Sequence, residues 1–520
     1  MKTVITFLVG RTILIGCLTV FLSSLVLAQA EPAKTFFNVR DFGAIGDGTN
    51  LDSPAINKTI EAAAAAGGGT VLVPAGTYLS GSIHLQSNIH LLIDAGATIL
   101  GAPQKLNAYD ETEPFPGIAY QDGGHCYFHN SLIWGESLTN VFISGHGTIN
   151  GGGLTKDSGI LDKMCGYDHF QTPNTNVFKP VRLGNKAIAL KLCKNVLIRD
   201  VTIVHGGHFA ILVTGCDNLT VDNVTMDTNR DGIDIDCCRN TMVSNCRINS
   251  PGDDGLCPKS TYALGEARLT ENLTIVNCQV SGFVEGTLID GTMKPRGGQG
   301  RIKFGTESSG GFRNCTIANC TFRGCKGLAL EEVDGGILEN ITINNISMMD
   351  VANCPIYLTT GKRNRSPGLS TNVSRMKNIL ISNVIATGVS SQSGIQITGL
   401  PDHPIEGVRL ENIRLIYNGG GTKEQANNVP RELGTGYPEP GGGMPAYGLF
   451  ARHVKGLKLA NINFSFMKDD FRPAIECIDV NGLEIDNFKA QLAEGVAASK
   501  FENVSGLVIR NSPMLDKTGN

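Results

Sequence analysis

The sequence is poor in tryptophan, in aromatic residues and in net charge. One tryptophan occurs among 520 residues, aromatic residues make up 6% of the chain, and the formal net charge is −4. A chain so close to electroneutrality lacks the basic surface that attracts nucleic acids or anionic membranes. Beyond the N-terminus, no apolar run is long enough to span a bilayer. We therefore expect no nucleic-acid partner and no membrane span.

The one long apolar run lies at the N-terminus. Lys2 and Arg11 are followed by the mostly apolar residues 12–27 and by Ala-Gln-Ala at 28–30, a small-residue cleavage pattern. This arrangement predicts a signal peptide over residues 1–30 and a protein exported to the periplasm or the extracellular space. Leu-Ile-Gly-Cys at 14–17 resembles a lipoprotein box, so a lipid-anchored form is the alternative. We expect residues 31–520 to form a single domain.

Fourteen cysteines follow the predicted signal peptide, but they lack the spacing of a small disulfide-stapled domain. Several fall within apolar alternations, as in NCTIANCTF at 314–322. The adjacent pair Cys237 and Cys238 has no CxxC or HxxxH motif nearby, which makes it a poor ligand set. We expect most cysteines to be buried and free, and we expect no metal and no cofactor.

The chain contains a short repeat. Segments that begin with asparagine, such as NVLIRDVTIV at 195, NLTVDNVTMD at 218 and NTMVSNCRIN at 240, start 23 and 22 residues apart. Later copies begin with glycine, as in GLKLANINFS at 456. Within each copy, apolar and polar residues alternate with the period of a β-strand. A repeat of just over twenty residues built from strands predicts a solenoid whose stacked copies share one core.

The repeat favours a parallel β-helix over a leucine-rich repeat, because the leucine consensus of the latter is missing. The fold class is therefore all-β. We expect the asparagines to form a ladder at the turns, since Asn tolerates unusual backbone angles and bonds to the backbone. The segment LDSPAINKTIEAAAAA at 51–66 is the one clear helix pattern, and we expect it to cap the apolar end of the solenoid. Residues 31–100 would form the N-terminal and capping segment.

Aspartates cluster between residues 226 and 260. Asp231 and Asp253 lie 22 residues apart, and Asp254 is adjacent to the second. In a β-helix, positions one coil apart lie roughly 4.8 Å from each other, so three carboxylates should meet on one outer face. A solvated turn or a calcium site is the alternative. Crowded carboxylates push their pKa values apart, which suits the acid and base of glycosidic bond hydrolysis.

Here the sequence resembles the polygalacturonase-like glycoside hydrolases of family 28, which act on pectin. The segments FNVRDFGAIGDGTNLDSPAI, NVFISGHGTINGGG, NRDGID and GDDGLCPKS carry the resemblance. It implies a right-handed parallel β-helix and an inverting hydrolase. Asp253 would be the general acid, and Asp231 and Asp254 would hold and deprotonate the attacking water. Lys259, in the Lys-Ser pair that follows the aspartates, would contact the substrate.

Two motifs of the family are broken in this chain. Gly300 stands where the family has a histidine, in QGRIKFGTES. In GLALEE, Ala329 and Glu331 replace the arginine and lysine that hold a sugar carboxylate in the family. Glu331 at a sugar subsite would repel a uronate, so we expect poor activity on unbranched homogalacturonan. The cations Arg301 and Lys303 could bind the substrate instead, or they could be surface charges on a strand.

Other residues are weaker candidates for substrate contact. His205 and His208 lie one coil before Asp231, where a histidine could touch the sugar or orient a carboxylate. A polar turn beside a stacked Phe209 is the alternative for this stretch. Tyr357 lies in a segment rich in cations that we expect beside the cleft. Residues 104–126 and 419–445 should be loops that flank it.

Three functions compete at this point. The leading hypothesis is hydrolysis of pectic or related polysaccharide, and chain-end attack would follow if the loops close one end of the groove. A polysaccharide lyase or epimerase is the second, since a uronate-active β-helix can place a base beside a cation. A non-catalytic carbohydrate-binding β-helix is the third, but it has no need of three clustered carboxylates. We expect a polysaccharide or oligosaccharide partner and a monomer.

Overall fold

A computed structural model describes residues 35–114, 123–157, 179–365 and 372–515. The predicted signal peptide and the alternative lipoprotein box lie outside these residues. Among the described residues, no helix is both long and apolar enough to cross a membrane.

The described chain is built almost entirely from short strands. Its helical elements are one α-helix, α1 (Ser53–Ala65), and the 3-10 turns Val39–Phe42, Gln104–Leu106, Gly123–His125 and Gln425–Asn427. The strands are β1 (Phe36–Asn38), β2 (Asp47–Leu51), β3 (Gly69–Val73), β4 (Gly76–Ser80), β5 (Ile83–His84), β6 (Ile89–Ile93), β7 (Ala97–Gly101), β8 (Ile133–Glu136), β9 (Thr139–Ser144), β10 (Thr148–Asn150), β11 (Lys186–Lys191), β12 (Lys194–Arg199), β13 (Thr202–Val204), β14 (Phe209–Thr214), β15 (Asp217–Asp222), β16 (Thr225–Asp227), β17 (Asp231–Asp236), β18 (Arg239–Ser244), β19 (Arg247–Asn249), β20 (Leu256–Lys259), β21 (Thr270–Val276), β22 (Gln279–Ser281), β23 (Lys303–Phe304), β24 (Phe312–Arg323), β25 (Leu328–Glu332), β26 (Ile337–Met349), β27 (Ile356–Thr360), β28 (Arg375–Val389), β29 (Ile395–Thr398), β30 (Ile405–Gly419), β31 (Leu449–Lys468), β32 (Ile475–Ala490), β33 (Ser499–Ser505) and β34 (Val508–Arg510).

The strands stack in parallel coils. Strand β17 pairs in parallel with β14 of the preceding coil and with β20 of the following one. In the same way, β15 lies between β12 and β18. This stacking confirms the predicted parallel β-helix, because each turn of the chain lays its strands directly on those of the turn before.

Two asparagine ladders run along the turns. Asn195 donates a side-chain hydrogen bond to Asn140, and Asn218 donates one to Asn195, both at 3.0 Å. A second ladder runs through the central turn of each repeat, where Asn319 donates to Asn277 at 3.2 Å. These asparagines have φ near +55 to +58°, the left-handed region that Asn tolerates better than most residues. The predicted ladder is confirmed, and it is double.

The interior of the coils holds columns of aliphatic side chains that continue from one coil to the next. Ile211, Ile233 and Leu256 stand in register on successive coils and are fully buried. All thirteen cysteines within the described residues are buried, and those other than Cys126 are free. The thiol of Cys238 lies 3.4 Å from the carbonyl oxygen of Val213 on the coil before, so it can donate a weak hydrogen bond inside the core. The predicted cysteine state is confirmed for these residues.

The α-helix closes the N-terminal end. Helix α1 buries Ile56, Ile60 and Ala63 in the same apolar core that runs through the coils. Its first turn contains Pro54, which lacks a backbone N–H. A helix tolerates this in its first turn, because the N–H groups there have no partner within the helix. The side chain of Asp52 accepts backbone hydrogen bonds from Ile45 and Gly46 and so ties the preceding loop to the helix start. The expected cap is therefore present.

Candidate active site

One outer face of the β-helix carries the candidate site. The smaller sheet consists of β5, β8, β11, β14, β17 and β20. Its inward residues join the main core, whereas Ala189 and Leu212 pack with Phe128 and Trp134 in a separate cluster outside it. The outward row continues in register from Leu212 to Asp234 and Cys257. This face is where the aspartates lie.

The three predicted aspartates meet as expected. Asp231 begins β17, and Asp253 and Asp254 precede β20. An oxygen of each carboxyl group lies within 4.8 Å of an oxygen of the others. The register pairs Ile233 with Leu256, which sets Asp231 level with Asp254 rather than with Asp253. The residues that stack on these two coils are therefore one position further apart in the sequence than the expected 22. The backbone N–H of Gly232 also donates to the Asp254 carbonyl at 3.0 Å.

Asp254 is held by two cations. The Arg301 Nε lies 2.9 Å from one of its oxygens, and the Lys303 Nζ lies 2.5 Å from the other. Burial alone would raise the pKa of Asp254, but Lys303 and Arg301 outweigh it and hold that pKa well below its ordinary value. Asp254 therefore favours its ionised form.

Asp231 has the opposite electrostatic environment. Its side chain is buried, and burial together with the nearby Asp253 carboxyl raises the pKa of Asp231 well above its ordinary value. The cations Lys259 and Arg230 lower the pKa of Asp231, but they do not outweigh burial and the neighbouring carboxyl groups. Asp231 therefore holds a proton under conditions in which Asp254 is charged.

Asp253 is the most accessible of the three carboxyl groups. Its side chain is 28% exposed, against 5% for Asp231 and 1% for Asp254. The Arg230 guanidinium contacts it at 3.0 Å. The trio thus contains one accessible carboxyl group, one that favours its protonated form and one that favours its ionised form, which is the division that acid and base chemistry needs.

The carboxyl groups of the trio lie close together. An inverting hydrolase ordinarily separates its two carboxyl groups by about 6.5–9.5 Å. The nearest oxygens here lie within 4.8 Å of one another. This distance joins the nearest oxygens and not the whole carboxyl groups, so it does not test inversion, which stays a prediction.

A buried charge network lies beside the trio. Lys259 Nζ is 2.8 Å from Glu307 and 3.5 Å from Asp234. Burial raises the pKa of Asp234 to about 8, an effect that Lys259 offsets only in part. Asp234 and Glu307 were not identified from the sequence. The outward position of Asp234 in the alternation of β17 was an available signal, whereas nothing in the sequence linked Glu307 to this coil.

Glu331 does not face the substrate as expected. Its side chain is fully buried, and it lies 3.3 Å from the Arg301 guanidinium. Burial raises its pKa. The expected repulsion of a uronate by a solvent-facing Glu331 is therefore wrong, because the neighbouring cation already compensates this carboxylate. Ala329 is buried as well, in a small cluster with Cys354 and Tyr357.

The missing histidine at position 300 has a steric explanation. Gly300 adopts φ +57°, and its N–H donates to the Asp253 carbonyl at 2.8 Å. A Cβ added at this residue would lie 2.0 Å from the Ser281 carbonyl oxygen. No side chain fits here without moving the backbone. The position therefore supports the loop of Asp253 instead of supplying a functional group.

The aspartates open into a small cleft. This aspartate cleft has a volume of about 190 Å³, and its walls are Arg230, Asp231, Asp253, Lys259, Lys303, Thr306, Glu307, Arg365 and Tyr437. Four cations face three acidic groups, so the cleft suits an anionic ligand. Arg365 belongs to the cation-rich segment that was expected beside the cleft, whereas Arg230 and Tyr437 were missed from the sequence. Tyr437 belongs to the long loop 419–445, and nothing in that loop's composition singled it out.

The remaining predicted residues lie in three different places. Lys259 and Lys303 line the aspartate cleft, and Arg301 sits behind it against Asp254. His208 is buried against the ring of Phe209 and bonds the Lys156 carbonyl at 2.9 Å, away from the cleft walls just named. Tyr357 lines a neighbouring pocket. The surroundings of His208 fit the alternative given for it, a polar turn beside Phe209, better than a contact with the sugar.

The outer face is covered on both sides of the cleft. On the N-terminal side, Phe128 packs over Ala189 and Leu212. On the C-terminal side, residues 419–445, hereafter the covering loop, lie over β27 and β29. Arg452 holds this loop by donating to the carbonyls of Pro430 and Arg431. The expectation that residues 419–445 border the cleft is confirmed, whereas residues 115–122 of the other loop lie outside the described residues.

Comparisons with known families agree with this geometry. A family model described as "Rhamnogalacturonase A/epimerase, pectate lyase-like" matches residues 36–257. A second, described as "Right handed beta helix region", matches residues 186–366. The predicted right-handed parallel β-helix is confirmed.

Individual relatives are distant. A Vitis vinifera protein named "Probable polygalacturonase" is 28% identical over 248 residues, which cover 45% of this chain and 47% of that protein. "Plasmin and fibronectin-binding protein A" of Streptococcus pneumoniae is 34% identical over 201 residues, 38% of this chain and 25% of that protein. The chain thus spans half or less of the length of these relatives. The structure of a Yersinia enterocolitica family 28 exopolygalacturonase superimposes on 91% of this chain and 78% of its own, with a TM-score of 0.57 at 18% identity, which shows a shared fold. The resemblance to the polygalacturonase-like glycoside hydrolases is confirmed.

Proposed function

We propose that this protein is a glycoside hydrolase that cleaves glycosidic bonds in pectic or related polysaccharide. The observation that carries the proposal is the carboxyl trio, in which Asp231 and Asp254 have pKa values shifted in opposite directions within a few ångströms. Hydrolysis of a glycosidic bond needs one carboxyl group that donates a proton and another that accepts one. A surface that only binds sugar has no use for this division.

Two assignments of the acid compete. The family motif gives the acid role to Asp253, and its exposure at the cleft suits a group that must reach the leaving oxygen. The raised pKa of Asp231 instead favours Asp231 as the holder of the proton in the free protein. We assign the acid to Asp253, with Asp231 and Asp254 around the attacking water. Loss of the basic limb of the pH–rate profile in Asp231→Asn, rather than in Asp253→Asn, would reverse the assignment.

The cleft suits an acidic sugar. Four cations line it, namely Arg230, Lys259, Lys303 and Arg365. The expected weakness on plain homogalacturonan rested on Glu331, which is buried and paired. Weak activity on plain homogalacturonan stays a prediction, although Glu331 no longer supports it. A comparison of kcat/KM on homogalacturonan and on mixed pectic fragments tests it. Higher kcat/KM on homogalacturonan would contradict it.

We propose attack at chain ends. The aspartate cleft is small, and Phe128 and the covering loop occupy the outer face on either side of it. A polysaccharide threaded along the face would collide with both. Early release of single residues with little loss of viscosity is the expected result. A rapid fall in viscosity would indicate internal cleavage.

One panel of substrates tests the proposal as a whole. Purified protein is incubated with pectic polysaccharides and oligosaccharides, and products are followed by chromatography and by proton NMR of the first anomer formed. We expect saturated products of inverted configuration. Products that absorb as unsaturated uronates would indicate a lyase instead, and binding without turnover would indicate a carbohydrate-binding protein. Retained configuration would contradict the roles given to Asp231 and Asp254.

Export and oligomeric state are separate proposals. The N-terminal pattern supports transport to the periplasm or the exterior, with a cleaved signal over residues 1–30. Cell fractionation and the N-terminal sequence of the mature protein test this. We also expect a monomer, which light scattering tests.

A further inference from the structure

One row of charged residues runs along the surface of the main sheet. Each member directly precedes the turn position of the first asparagine ladder, as Lys194 precedes Asn195. In register, the row begins with Lys194, Asp217, Arg239, Glu271 and Arg313. It continues with Glu339, Lys377, Glu406 and Lys455. The sign of the charge alternates at every step over these nine successive coils, and we call the set the charge row.

The charges of the row interact across the coils. The Arg239 guanidinium lies 2.9 Å from the Asp217 carboxylate. One oxygen of Glu339 lies 2.7 Å from Arg313, and its other oxygen lies 3.0 Å from Lys377. Opposite charges that face each other directly on neighbouring strands stabilise a sheet, whereas like charges there destabilise it. Each interior coil of the row therefore has a charge of opposite sign on both of its neighbours.

Alternating charge is not a general property of this surface. Another outward row on the same strands consists of Leu197, Thr220, Met242 and Thr274, which also stand in register. These side chains are half-buried or exposed, like those of the charge row, but none is charged. Solvent exposure alone therefore does not account for the alternation.

The other contacts between coils do not distinguish one coil from the next. The first asparagine ladder has the same residue at positions 195, 218 and 240, and the core columns are aliphatic throughout. If one coil were left out of the stack, its two neighbours could form these same contacts with each other. The longer loop would add little entropic cost, since that cost grows slowly with loop length. Misassembly of this kind is a characteristic failure of repeat proteins.

The charge row does distinguish the coils. Because the signs alternate, leaving out any interior coil places two like charges directly opposite each other at roughly 4.8 Å. Without the coil of Glu271, Arg239 would face Arg313. Without the coil of Arg313, Glu271 would face Glu339. In each case an attractive contact is replaced by a repulsive one.

We propose that the charge row is a register device, which makes each coil stack on its immediate neighbour and not on the coil beyond it. The correct stack gains from opposite charges and the skipped stack loses from like charges, so both effects favour the correct one. The device acts on the scaffold and does not depend on the proposed hydrolase activity.

Exchanging two members of the row tests the proposal. The double variant Glu271→Arg, Arg313→Glu keeps the composition, but it places like charges opposite each other in the correct stack. Leaving out either exchanged coil would now bring opposite charges together. Hydrogen exchange with mass spectrometry is measured on the full chain, both as purified and after refolding from denaturant. We expect a subpopulation in which residues 270–281 or 312–323 are unprotected, about threefold to tenfold more abundant than in wild type.

A matched exchange outside the charge row is the control. Lys458 and Glu484 stand in register and pair at 3.0 Å on an exposed surface. Lys458→Glu with Glu484→Lys keeps opposite charges opposite, so the exchange pattern should equal that of wild type. The proposal would be overturned if the control shows the same subpopulation as Glu271→Arg, Arg313→Glu, or if the latter shows no more of it than wild type.

A neutral variant separates register from stability. Arg239→Gln, Glu271→Gln, Arg313→Gln and Glu339→Gln together remove both the attraction and the repulsion. The purified variant should unfold at nearly the denaturant concentration of wild type, because exposed ion pairs contribute little to stability. After refolding, however, its fraction of molecules with an unprotected coil should be about threefold higher or more. Salt should raise this fraction in wild type and not in the variant, since salt screens exposed charges. Equal fractions in the two proteins at low salt would overturn the proposal, even if the exchanged variant failed to fold.

Discussion

The turns of this β-helix repeat from coil to coil, whereas the outer face of its smaller sheet changes at nearly every coil. At the turns, one asparagine follows another, as Asn195 follows Asn140. On the outer face, a single register row passes from Leu212 to Asp234 and then to Cys257. A scaffold position needs the same residue in every copy because each copy bonds to the next. Positions that depart from the repeat therefore mark residues that have a role other than stacking the coils.

The two regions also differ in how they treat charge. The ladders consist mainly of neutral asparagines at the exposed turns, where an amide finds a partner in the adjacent coil, and aspartates serve as acceptors at a few rungs. The outer face instead buries carboxylates and cations together, as with Asp254, Arg301 and Lys303. Buried ion pairs are weak stabilisers, since desolvation costs much of what their attraction gains. Their concentration here fits the proposed catalytic role of this face better than a role in stability.

The largest effect should follow a change that leaves the scaffold intact. Asp253→Asn preserves shape at a partly exposed position, but an amide cannot donate the proton that the leaving oxygen needs. We expect kcat to fall about 10²–10⁴-fold, the usual range for a positioned acid, with an unchanged Tm. Asp290→Asn, at an exposed loop aspartate, is the control and should keep full activity. More than a tenth of wild-type kcat in Asp253→Asn would remove this residue from the acid role.

The next largest effect concerns the buried charges. Arg301→Met leaves Glu331 without its cation and Asp254 with Lys303 alone. Breaking a buried pair by removing one partner costs about 3–5 kcal/mol, which denaturant unfolding would measure as a lower free energy of unfolding.

The control for this change lies on the repeating surface. Arg313 is 40% exposed and pairs with Glu339 at 2.7 Å. Arg313→Met should cost no more than about 1 kcal/mol, as exposed pairs do. Similar decreases in the free energy of unfolding in Arg301→Met and Arg313→Met would mean that ion pairs on the outer face matter no more for stability than ion pairs on the rest of the surface.

Most of the scaffold could be predicted from the sequence because the repeat states the same physical requirement many times. Each copy shows the same alternation of apolar and polar residues, an asparagine at the turn and a similar length. A single exception therefore does not obscure the pattern. The aspartate trio was predictable for a related reason, since a known period places Asp231 on the coil before Asp253 and Asp254. The error of one residue in their register came from the tight turn at Gly252, which the period does not describe.

The neighbours of the trio could not be predicted in the same way. Glu331 was expected to face the substrate, but its burial depends on Arg301 from the previous coil. Arg230 was visible as a change within a motif, yet its contact with Asp253 depends on side-chain placement between coils. Tyr437 reaches the cleft through a long loop of irregular structure. Contacts made by insertions and by side-chain conformations carry no periodic signal.

A smaller effect is expected in the pH dependence of stability. Burial raises the pKa of Asp234 to about 8, whereas an aspartate in an unfolded chain has a pKa of about 3.9. The folded protein therefore binds this proton more tightly than the unfolded chain does. The stabilising contribution of Asp234 is complete below about pH 4 and is lost as the pH rises to about 8. In Asp234→Asn this loss disappears, so the free energy of unfolding should decline less between these pH values than in wild type. Parallel pH profiles for the two proteins would contradict the raised pKa.

The smallest effect belongs to a single rung of the ladder. Asn314 has φ +55°, donates to Asn272 at 3.4 Å and accepts from Asn340 at 3.0 Å. Asn314→Ala and Asn314→Gly both remove these exposed hydrogen bonds, but alanine must also adopt a left-handed backbone, which costs about 1–2 kcal/mol. Glycine avoids this strain, and the later coils already use it at the equivalent turn, where Gly456 and Gly482 have φ +74° and +77°. We therefore expect the alanine variant to be less stable than the glycine variant by about 1–2 kcal/mol in denaturant unfolding, with kcat unchanged in both. Equal stability of the two variants would mean that the ladder acts through its hydrogen bonds alone, and a loss of activity in either would mean that the turns and the outer face are not independent.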